Sequence, residues 1–596
     1  MCGIVACRTS APAVEFLLPA LSRLEYRGYD SAGVALTARD RDALHTMRAV
    51  GRLAVLEDMV AMESPSPDLG IGIGHTRWAT HGAVSEPNAH PHRDCGGAIA
   101  VVHNGIIDNA DELRARLQSG GHRFSSEVDS EVIAHLVEEA YASCGSLVEA
   151  VRRAVHQLRG TWALAVTSAN SAEVVLACYR SPLVVGSSET EHFAGSDMIA
   201  MIGRVAHVHV LQDGDIVELA DHVSWTDMKG NQLTPRSPVT VDWDAEDAEI
   251  GVYEDFMEKE ISEQPAVSAR LLDRLLPGVA NGLLWKNLAL PSFRSIRFLA
   301  CGSSLNAAAA AARVFRDVAD IPARTIIASE FEEKVGGEVL TIAVSQSGET
   351  ADIVSALRQV HGPVLLITNA PYSTLARGAD AVIDCGSGPE IGVAATKTFT
   401  TQVIAGAALG LSAAAALGRS SGSEISQQAL ALAKVPDRLE AAHLTSFPVA
   451  HALAGELAQA PGFFFVSRGA GMPYATEGAL KLKEITYRWC DAIPAGELKH
   501  GSISLIEDGT PVVVIDSGSP VRLHGAASEM ATRGARIIRI GPEGSDVAFP
   551  VLADVEGPWG PLEGVLALQH LARSVAVALG RDCDKPRNLA KSVTVL

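Results

Sequence analysis

Two different patterns of apolar and polar positions divide the chain. In residues 1 to about 235, short apolar runs alternate with loops rich in His, Asn and Gly, and Ile99–His103 and Glu173–Ala177 are typical strands. After about residue 250, an apolar run, a Gly/Ser turn and a longer Ala-rich stretch recur several times. The acidic segment 236–250 separates the two patterns and is expected to be a linker.

The second pattern predicts two similar α/β domains. The runs expected to form its strands are Ile296–Ala300, Thr341–Val344, Val364–Thr368, Phe463–Val466, Pro511–Asp516 and Arg536–Ile540. Helices are expected over Leu305–Phe315, Asp352–Val360 and Thr476–Arg488. Repeated strand, turn and helix units are typical of doubly wound parallel sheets, which bind ligands at the carboxyl ends of their strands.

Length and charge narrow the class of protein. The 596 residues, of which 47% are apolar and 20% charged, have an ordinary globular balance with room for several domains. A net charge of -21 without a long basic block argues against a nucleic-acid partner. The longest apolar run, Val403–Gly418, is shorter than the roughly 20 residues of a membrane span, so we expect a buried helix and no membrane partner. The N-terminus lacks the pattern of a signal peptide.

The sequence predicts neither a metal nor a cofactor. Nine scattered cysteines without a C-x-x-C pair argue against a disulfide framework or a zinc site and favour a reducing cytoplasm. The histidines of the N-terminal region have spacings that match no common ligand pattern; they are His75, His81, His90, His92 and His103. The chain contains neither a G-x-G-x-x-G turn after a strand nor a P-loop, so no nucleotide is required.

Cys2, which follows the initiator Met and precedes Gly3, is a candidate nucleophile. Removal of Met1 would leave Cys2 with both a thiol and a free α-amine. Such an amine titrates near pH ~8, close enough to neutrality to act as the base for its own side chain. A buried structural cysteine is the alternative interpretation.

The other groups that an amide hydrolase needs occur in four segments: GHTRWATHG (74–82), NAHPH (88–92), VVHNGII (101–107) and SEVD (126–129). Arg77 could pair with the α-carboxylate of the substrate as a bidentate fork, and Asp129 with its α-ammonium group. The Asn104 side chain and the Gly105 backbone N–H could form an oxyanion hole. Upstream, residues 27–30 are expected to build a turn near the nucleophile through Arg27, Tyr29 and Asp30.

Two Ser-rich turns in the second half are suited to a phosphate. Residues 345–350, SQSGET, place three hydroxyl groups and a glycine before a predicted helix, where N–H groups and the helix dipole favour an anion. Ser303 and Ser304 lie in an analogous turn after the preceding strand. Either turn alone could be an ordinary helix N-cap, and this alternative stays open.

Three charged residues are expected on one face of a helix. Glu477, Lys481 and Glu484 have the spacing i, i+4, i+7, and two carboxylates with an amine suit proton transfers at a sugar carbonyl. An exposed ladder of ion pairs is the alternative. His500 is expected in a loop, and Lys591 near the C-terminus is either solvated or a Schiff-base lysine.

Several N-terminal segments together resemble the glutaminase domain of class II glutamine amidotransferases: MCGIV (1–5), RLEYRGYDSAG (23–33), GHTRWATHG, NAHPH and HNGII. The resemblance implies an αββα N-terminal-nucleophile (Ntn) hydrolase sandwich over residues 2–235, with Cys2 as its nucleophile. It also implies that Trp78 gates an ammonia path and that Thr80 and His81 help to bind glutamine.

The second half resembles the two sugar isomerase (SIS) domains of the glutamine–fructose-6-phosphate aminotransferase family. The matching segments are ACGSS (300–304), SQSGETAD (345–352), EIGVAATK (390–397), EGALKLKE (477–484), AGELKHG (495–501) and PRNLAKSVTV (586–595). The resemblance covers essentially the whole chain in one order. It implies flavodoxin-like SIS domains at 251–435 and 436–587, and a tail at 588–596 that completes the sugar site.

Matching motifs also imply the roles of the sugar-site residues. Hydroxyl and amide groups would hold the sugar phosphate, namely those of Ser303, Ser304, Ser345, Gln346, Ser347 and Thr350, while Val393 and Ala590 would line the site with backbone groups. Glu477 would contact the sugar, and Glu484, supported by Lys481, would transfer the proton between C1 and C2. His500 would open the ring from a neighbouring subunit, and Lys591 would form the Schiff base.

The implied reaction moves the amide nitrogen of glutamine, as channelled ammonia, to fructose 6-phosphate, and the products are glutamate and glucosamine 6-phosphate. A cytoplasmic homodimer with no cofactor is expected. Departures from the family pattern, such as Ala6, Ala395 and Ser303, leave room for a paralogue that aminates another ketose phosphate. A regulator without catalysis is a further alternative, although Cys2, Glu484 and Lys591 are all present.

Overall fold

The computed structural model describes residues 2–38, 44–79, 82–241, 243–332, 338–517, 520–542, 544, 546–551 and 557–593. The chain divides into two compact units. The N-terminal unit contains the residues up to Glu249 together with those from Ala590 on, and the C-terminal unit contains Ile250–Leu589.

The N-terminal unit is built mainly of antiparallel strands. In chain order they are β1 (Gly3–Arg8), β2 (Ser31–Thr37), β3 (His45–Val50), β4 (Ile71–Arg77), β5 (His92–Arg93), β6 (Ile99–Ile107), β7 (Gly160–Ser168), β8 (Val174–Tyr179), β9 (Val184–Ser187), β10 (His192–Gly195), β11 (His207–Val210), β12 (Ile216–Leu219), β13 (Val223–Thr226) and β14 (Val239–Thr240). One sheet has the order β14-β11-β9-β10-β1-β4-β2-β3 and the other β13-β12-β8-β7-β6-β5. The helices are α1 (Val14–Leu24), α2 (Leu53–Glu63), α3 (Ala110–Ser119), α4 (Glu131–Cys144) and α5 (Leu147–Val155).

These elements form four layers. Along β6, Ile99 and Val101 point into a core with α3, α4 and α5, while Ala100 and Val102 point into a core shared with the other sheet. Because successive side chains of a strand face opposite ways, β6 must be apolar on both faces, as its sequence is. The helices α1 and α2 pack against the outer side of the eight-stranded sheet. The αββα sandwich expected for this unit is therefore present, and the predicted linker 236–250 contributes β14 to its edge.

The C-terminal unit contains two parallel sheets. The strands are β15 (Ser295–Ala300), β16 (Ala323–Ile327), β17 (Val339–Ser345), β18 (Val364–Thr368), β19 (Ala381–Asp384), β20 (Gly462–Ser467), β21 (Trp489–Pro494), β22 (Pro511–Ile515), β23 (Arg536–Gly541) and β24 (Phe549–Pro550). The helices are α6 (Phe256–Leu275), α7 (Leu283–Lys286), α8 (Gly302–Asp317), α9 (Ala351–Leu357), α10 (Thr374–Gly378), α11 (Lys397–Ala416), α12 (Gly422–Ala433), α13 (Val435–Leu457), α14 (Met472–Thr486), α15 (Pro520–Ala531) and α16 (Gly564–Ala578).

Both sheets have the same strand order. The first runs β16-β15-β17-β18-β19 and the second β21-β20-β22-β23-β24, which is the doubly wound 2-1-3-4-5 topology in each case. In the first sheet Phe298 faces a core that also contains Phe465 of the second sheet, whereas Leu299 faces a separate cluster on the other side. The two sheets therefore share one large core, which is filled by helices of both. The prediction of two doubly wound sheets is confirmed.

Two helices begin earlier than the sequence pattern predicts. The helix α8 begins at Gly302, so Ser303 and Ser304 lie in its first turn instead of preceding it. The helix α14 begins at Met472, because Pro473 in its first turn has a fixed φ that suits the start of a helix. In both cases, small polar or Pro residues that resemble a turn are also acceptable in a first helical turn.

The apolar run near residue 403 belongs to a buried helix. The helix α11 is 20 residues long, and its most apolar window has a mean hydropathy of 1.4, which satisfies the length and composition of a membrane span. It packs against α6, α7 and α8, and 89% of its most apolar window is buried inside the protein. The expectation of a core helix is therefore correct.

Close packing of α11 on α8 gives a testable prediction. A Cβ atom on Gly406 would lie 2.4 Å from the Ala311 Cβ, which cannot rotate away, whereas one on Gly455 of α13 would meet nothing within 4 Å. We expect Gly406→Ala to destabilise the C-terminal unit by about 1–3 kcal/mol through overpacking. Gly455→Ala should stabilise it by about 0.5–1 kcal/mol, because alanine is the better helix former. Thermal unfolding of both variants checks this, and equal shifts would contradict it.

Candidate functional site

Pairing of β1 with β4 places Cys2 beside the end of β4. Gly3 pairs with Thr76, so the residue before β1 lies next to the residues that follow Thr76. The Trp78 N–H donates to Cys2 Sγ at 3.3 Å, and the thiol lies 3.6 Å from the Trp78 carbonyl oxygen. The Trp78 carbonyl oxygen can therefore accept a hydrogen bond from the Cys2 thiol. The Trp78 N–H can stabilise the thiolate.

The electrostatic surroundings of Cys2 are mixed. Burial raises the pKa of the Cys2 thiol above its ordinary value, although the Trp78 N–H and the Arg77 guanidinium lower it. A thiol of this kind needs a base at the moment of attack. The half-buried position of Cys2 leaves it accessible to a small substrate.

A hydrogen bond from His75 fixes the orientation of the Asn104 side-chain amide. The His75 Nε2 lies 3.1 Å from the carbonyl oxygen of His103 and 3.1 Å from Asn104 Oδ1, and a carbonyl oxygen only accepts, so this nitrogen donates. Burial lowers the pKa of His75 to about 3, which keeps the ring neutral. The Asn104 amide then directs Nδ2 to the carbonyl oxygen of Cys2 at 3.0 Å. One of its two N–H bonds remains for an oxyanion.

Gly105 lies where only glycine fits. Its φ is +135°, and a Cβ atom there would lie 2.0 Å from the carbonyl oxygen of Thr161 on the neighbouring strand. Two residues on, the Ile107 N–H donates to Asp129 Oδ2 at 2.8 Å. This bond attaches the segment that carries Asp129 to the end of β6, on which Asn104 and Gly105 lie.

Arg77 is 4% exposed at the end of β4. Burial lowers the pKa of its guanidinium, and the charges that act in the opposite direction are those of Cys2, Asp30 and Asp129. Arg77, which is predicted to hold the substrate's α-carboxylate, thus lies within electrostatic range both of Asp129, which is predicted to hold the α-ammonium group, and of Cys2. Thr80 and His81, the other predicted glutamine-binding residues, lie outside the described residues.

Where the sequence predicts a turn, Arg27 ends a short 3-10 helix and residues 28–30 are extended and then bend into β2. Asp30 Oδ2 accepts from the Ala79 N–H at 2.8 Å, and the Tyr29 ring meets the Trp78 ring edge to face at 5.4 Å. Arg27 forms a buried ion pair with Asp197. This segment supports the backbone that contacts Cys2, a structural role.

In the C-terminal unit, the loop 345–350 follows β17. The Ser345 hydroxyl lies 3.0 Å from the Thr350 hydroxyl and accepts from the Gly348 N–H at 3.1 Å, while Ser347 accepts from the Glu349 N–H at 3.2 Å. Gly348 has φ +62°, and a Cβ atom there would clash with Ser373. The loop is thus tightly folded, with hydroxyl groups and N–H donors drawn together as a phosphate cradle requires.

A buried carboxylate connects the two parallel-sheet domains of the C-terminal unit. Glu477 on α14 accepts from Ser303 Oγ and from Asn306 Nδ2, both at 2.8 Å and both on α8. Lys481 Nζ lies 3.5 Å from Glu477 and donates to Glu484 Oε2 at 2.6 Å. The predicted face of α14 is therefore an inward-facing chain of charges, and the alternative of an exposed ladder is wrong.

Burial determines the protonation of this chain. It raises the pKa of Glu477, although Lys481 and the Asn306 hydrogen bond favour the carboxylate. Burial alone would lower the pKa of Lys481, but Glu484 and Glu477 outweigh it, and the pKa of the ammonium group stands above its usual value. Lys481 is thus held as a cation that orients Glu484, the one half-exposed residue among these three charged side chains.

The loop 390–397 lies against α6 and near α14. The N–H groups of Ile391 and Gly392 both donate to Glu260 on α6, at 2.5 and 2.9 Å. The Val393 N–H donates to the carbonyl oxygen of Asp584 at 2.9 Å and is therefore already hydrogen-bonded within the protein. Glu390 is one of the charges that raise the pKa of Lys481, which brings the loop close to the charged chain.

The remaining predicted residues are Ser304, Gln346, His500, Ala590 and Lys591. Ser304 and Gln346 are half-buried beside Ser303 and Ser345, and His500 is exposed after β21. Ala590 and Lys591 group with the N-terminal unit.

Sequence analysis missed three groups that organise the sugar half. Asn306 lies one turn beyond the ACGSS segment and binds Glu477, and its position inside an Ala-rich helix was the available signal. Glu260 and Asp584 lie outside every motif and hold the loop 390–397 through backbone contacts. Contacts that support a site residue from behind depend on the fold and leave no local pattern in the sequence.

Comparison with known proteins agrees with this geometry. Residues 75–202 match the family of glutamine amidotransferase domains, and residues 290–412 and 456–546 match the SIS domain. Proteins named glutamine–fructose-6-phosphate aminotransferase (isomerizing) from Mycolicibacterium paratuberculosis and Thermus thermophilus are 42% and 41% identical, each over the whole of both chains. The chain belongs to this family.

A solved structure supports the same assignment for the second half. The C-terminal domain of glucosamine-fructose-6-phosphate aminotransferase from Francisella tularensis superimposes with a TM-score of 0.52 at 29% identity. It covers 57% of this chain and 99% of that one. The family relationship thus rests on whole-chain identity and, for the SIS unit, on the fold.

The buried histidines near Cys2 predict an acid-sensitive N-terminal unit. Burial lowers the pKa of His92 to about 3, and neither ring nitrogen has a hydrogen bond within the described part of the chain. An unfolded histidine takes up a proton near pH ~6.5. Between pH ~6.5 and ~3 the unfolded state therefore binds more protons than the folded state, and the stability decreases as the pH is lowered.

The free energy of unfolding of the wild-type protein should fall between pH 7 and pH 5. We expect this fall to be about 2 kcal/mol smaller in His92→Phe. Thermal unfolding at the two pH values measures the difference, which is independent of any change in baseline stability. His207→Phe, at an exposed position, is the control. An unchanged pH dependence in His92→Phe would contradict the prediction.

Proposed function

We propose that this protein transfers the amide nitrogen of glutamine to fructose 6-phosphate and forms glutamate and glucosamine 6-phosphate. The observation that carries the proposal is the placement of Cys2 next to the Trp78 backbone and the His75-oriented amide of Asn104. Membership of the aminotransferase family over the full chain supports the sugar acceptor. The reaction needs no metal or organic cofactor.

In the glutaminase half, Cys2 attacks the glutamine amide once Met1 has been removed. Its α-amine takes the thiol proton, a carbon–sulfur bond forms, and the proton passes to the departing nitrogen as the carbon–nitrogen bond breaks. The Asn104 N–H and the Gly105 N–H stabilise the tetrahedral oxyanion. Water then hydrolyses the glutamyl thioester to glutamate and restores the thiol.

Arg77 and Asp129 hold the amino acid end of glutamine. A buried guanidinium pairs with the α-carboxylate, and the Asp129 carboxylate pairs with the α-ammonium group. Support comes from the electrostatic interaction of Arg77 with both Asp129 and Cys2. Thr80 and His81 complete this binding, and Trp78, directly against the nucleophile, gates the release of ammonia into an internal channel.

In the sugar half, the phosphate binds the hydroxyl-rich loop 345–350 and the first turn of α8, with Val393 and Ala590 as backbone contacts. The Ser, Gln and Thr groups that bind it are Ser303, Ser304, Ser345, Gln346, Ser347 and Thr350. Ser345 and Ser303 follow adjacent strands of one parallel sheet, and the carboxyl ends of such strands are its ligand-binding edge.

The amination itself uses the charged residues. His500, from a partner subunit, opens the ring, and Lys591 forms a Schiff base at C2 that ammonia displaces. Glu484, oriented by Lys481, then moves a proton from C1 to C2, which converts the C2 imine to the amine and leaves the aldehyde at C1. Glu477 contacts the sugar. The exposed position of His500 in one chain is consistent with action in another.

Assembly and location follow from the same proposal. The N-terminal unit acts as an Ntn hydrolase over residues 2–235, residues 251–435 and 436–587 are the SIS domains, and residues 588–596 complete the sugar site. The enzyme works as a cytoplasmic homodimer. A paralogue that aminates a different ketose phosphate is the second candidate, because Ala395 lies half-buried in the loop 390–397 beside Val393.

Two reciprocal variants test the proposal. Cys2→Ala should lower glutamate release at least about 1,000-fold, because the nucleophile is lost, and should still bind fructose 6-phosphate. Glu484→Gln should still release glutamate when sugar is present but should form no amino sugar. Cys7→Ala, on the strand that follows Cys2, and Lys483→Gln, exposed on the helix that carries Glu484, are the matched controls.

Glutamate release by Cys2→Ala at the wild-type rate would refute the role of the nucleophile. Formation of glucosamine 6-phosphate by Glu484→Gln at the wild-type rate would refute the role of the base. A panel of ketose phosphates offered to the wild-type protein separates the two candidate acceptors.

A further inference from the structure

Four potential metal ligands converge in the N-terminal unit, away from Cys2. Cys95, His122, His135 and Glu138 each direct one ligand atom toward a common point, and these atoms all lie within 4.8 Å of one another. Cys95 lies in the turn between β5 and β6, His122 follows α3, and the other two lie on α4. We call these four residues the Cys95 cluster.

The distances match those between the ligands of a tetrahedral ion. Cys95 Sγ lies 3.6 Å from the Nδ1 atoms of both His122 and His135. Zinc–sulfur and zinc–nitrogen bonds of ordinary length in tetrahedral geometry separate the two ligand atoms by about 3.6 Å. Glu138 Oε2 lies 2.9 Å from His122 Nδ1 and 3.2 Å from His135 Nδ1, slightly closer than the roughly 3.4 Å between two ligands of a zinc ion.

The outer nitrogens of both histidines face carboxylates. His135 Nε2 lies 3.8 Å from Glu131 Oε1, and His122 Nε2 lies 3.5 Å from Glu139 Oε1. A carboxylate behind a ligand histidine fixes the tautomer that leaves the inner nitrogen free for a metal, and such pairs are common around zinc. His135 Nε2 makes no hydrogen bond among the described residues, so its contact with Glu131 is electrostatic, and it favours the tautomer with the proton on Nε2 and with Nδ1 facing the Cys95 sulfur and Glu138.

A cluster held only by hydrogen bonds is the alternative. Glu138 Oε2 would then accept from His122 Nδ1, His135 Nδ1 and the Cys95 N–H at 3.3 Å. Two imidazoles, one of them on a side chain that is 1% exposed, would donate to one carboxylate oxygen while both also contact the sulfur. In this network the Arg123 N–H donates to Cys95 Sγ at 3.4 Å and three donors share one carboxylate oxygen, whereas one cation at the centre would bind all four groups directly.

We propose that Cys95, His122, His135 and Glu138 bind one zinc ion with a structural role. A thiolate and two imidazoles favour zinc over magnesium or calcium, which prefer oxygen ligands. Four protein ligands close a tetrahedral site, as in structural zinc sites, and leave no position for a reacting water. The exposed Cys95 lies on the solvent side, from which the ion enters.

The proposed ion connects to the glutamine site through Glu131. The Glu131 carboxylate accepts from the N–H and the hydroxyl of both Ser125 and Ser126, at 2.6–2.8 Å. These serines begin the segment that leads to Asp129, the residue proposed to bind the α-ammonium group of glutamine. The ion would hold the turn at Cys95, the helix α4 and this segment together, so its loss should raise KM for glutamine more than it lowers kcat.

The sequence predicts no zinc here because the ligands are far apart along the chain. Cys95 and His122 are separated by 27 residues, and only the pair on α4 has a short spacing, of three. Motif-based recognition of zinc sites relies on two short ligand pairs. In this unit the fold supplies the proximity.

Metal analysis of the full-length, tag-free protein tests the proposal. After purification without chelator and dialysis, elemental analysis should find about one zinc ion per chain. Cys95→Ser should lose this zinc. Cys144→Ser, which alters a half-buried thiol at the end of α4, the helix that carries His135 and Glu138, should keep it. Zinc content is measured independently of any enzymatic activity.

A second measurement uses the wild-type protein alone, in case Cys95→Ser does not fold. Protein stripped with a chelator and titrated with Co²⁺ should develop the absorption bands of tetrahedral cobalt with a thiolate ligand, and zinc should raise its thermal midpoint. Equal zinc content in the wild-type protein and Cys95→Ser would overturn the proposal. Absence of a thiolate–cobalt band would overturn it as well.

Discussion

The antiparallel pairing of β1 with β4 determines where the nucleophile lies. It brings the start of the chain against the Arg77–Trp78 backbone, and the segment containing Asp30 holds that backbone in place. A shift of one residue in this register would exchange the two faces of β1 and remove Cys2 from the site. The substrate contacts proposed for Asn104, Arg77 and Asp129 all depend on this one alignment.

A different constraint organises the sugar half. A carboxylate as deeply buried as Glu477 must be compensated, and Ser303, Asn306 and Lys481 supply the compensation from two helices. Because α8 belongs to the first SIS domain and α14 to the second, the requirement to satisfy Glu477 fixes one domain against the other. Lys481 then orients Glu484, the last of these charged side chains along α14. The structural role and the proposed catalytic role thus share one set of charges.

Much of this organisation could be predicted from the sequence. The strand runs and the Gly/Ser turns indicated two parallel sheets, and the spacing of Glu477, Lys481 and Glu484 indicated one helix face. The direction of that face, inward to Ser303, could not be predicted, because it depends on packing between α8 and α14 that no local pattern records. For the same reason the support of Asn104 by His75 and of the loop 390–397 by Glu260 became visible only in the fold.

The most direct test of the account follows the nitrogen atom. The purified protein is incubated with glutamine labelled with ¹⁵N at the amide and with fructose 6-phosphate, and the sugar product is identified by mass spectrometry and NMR. The account predicts glucosamine 6-phosphate with the label at C2, together with an equal amount of glutamate. Glutamate release with the label recovered only as free ammonium would contradict the coupling of the two halves.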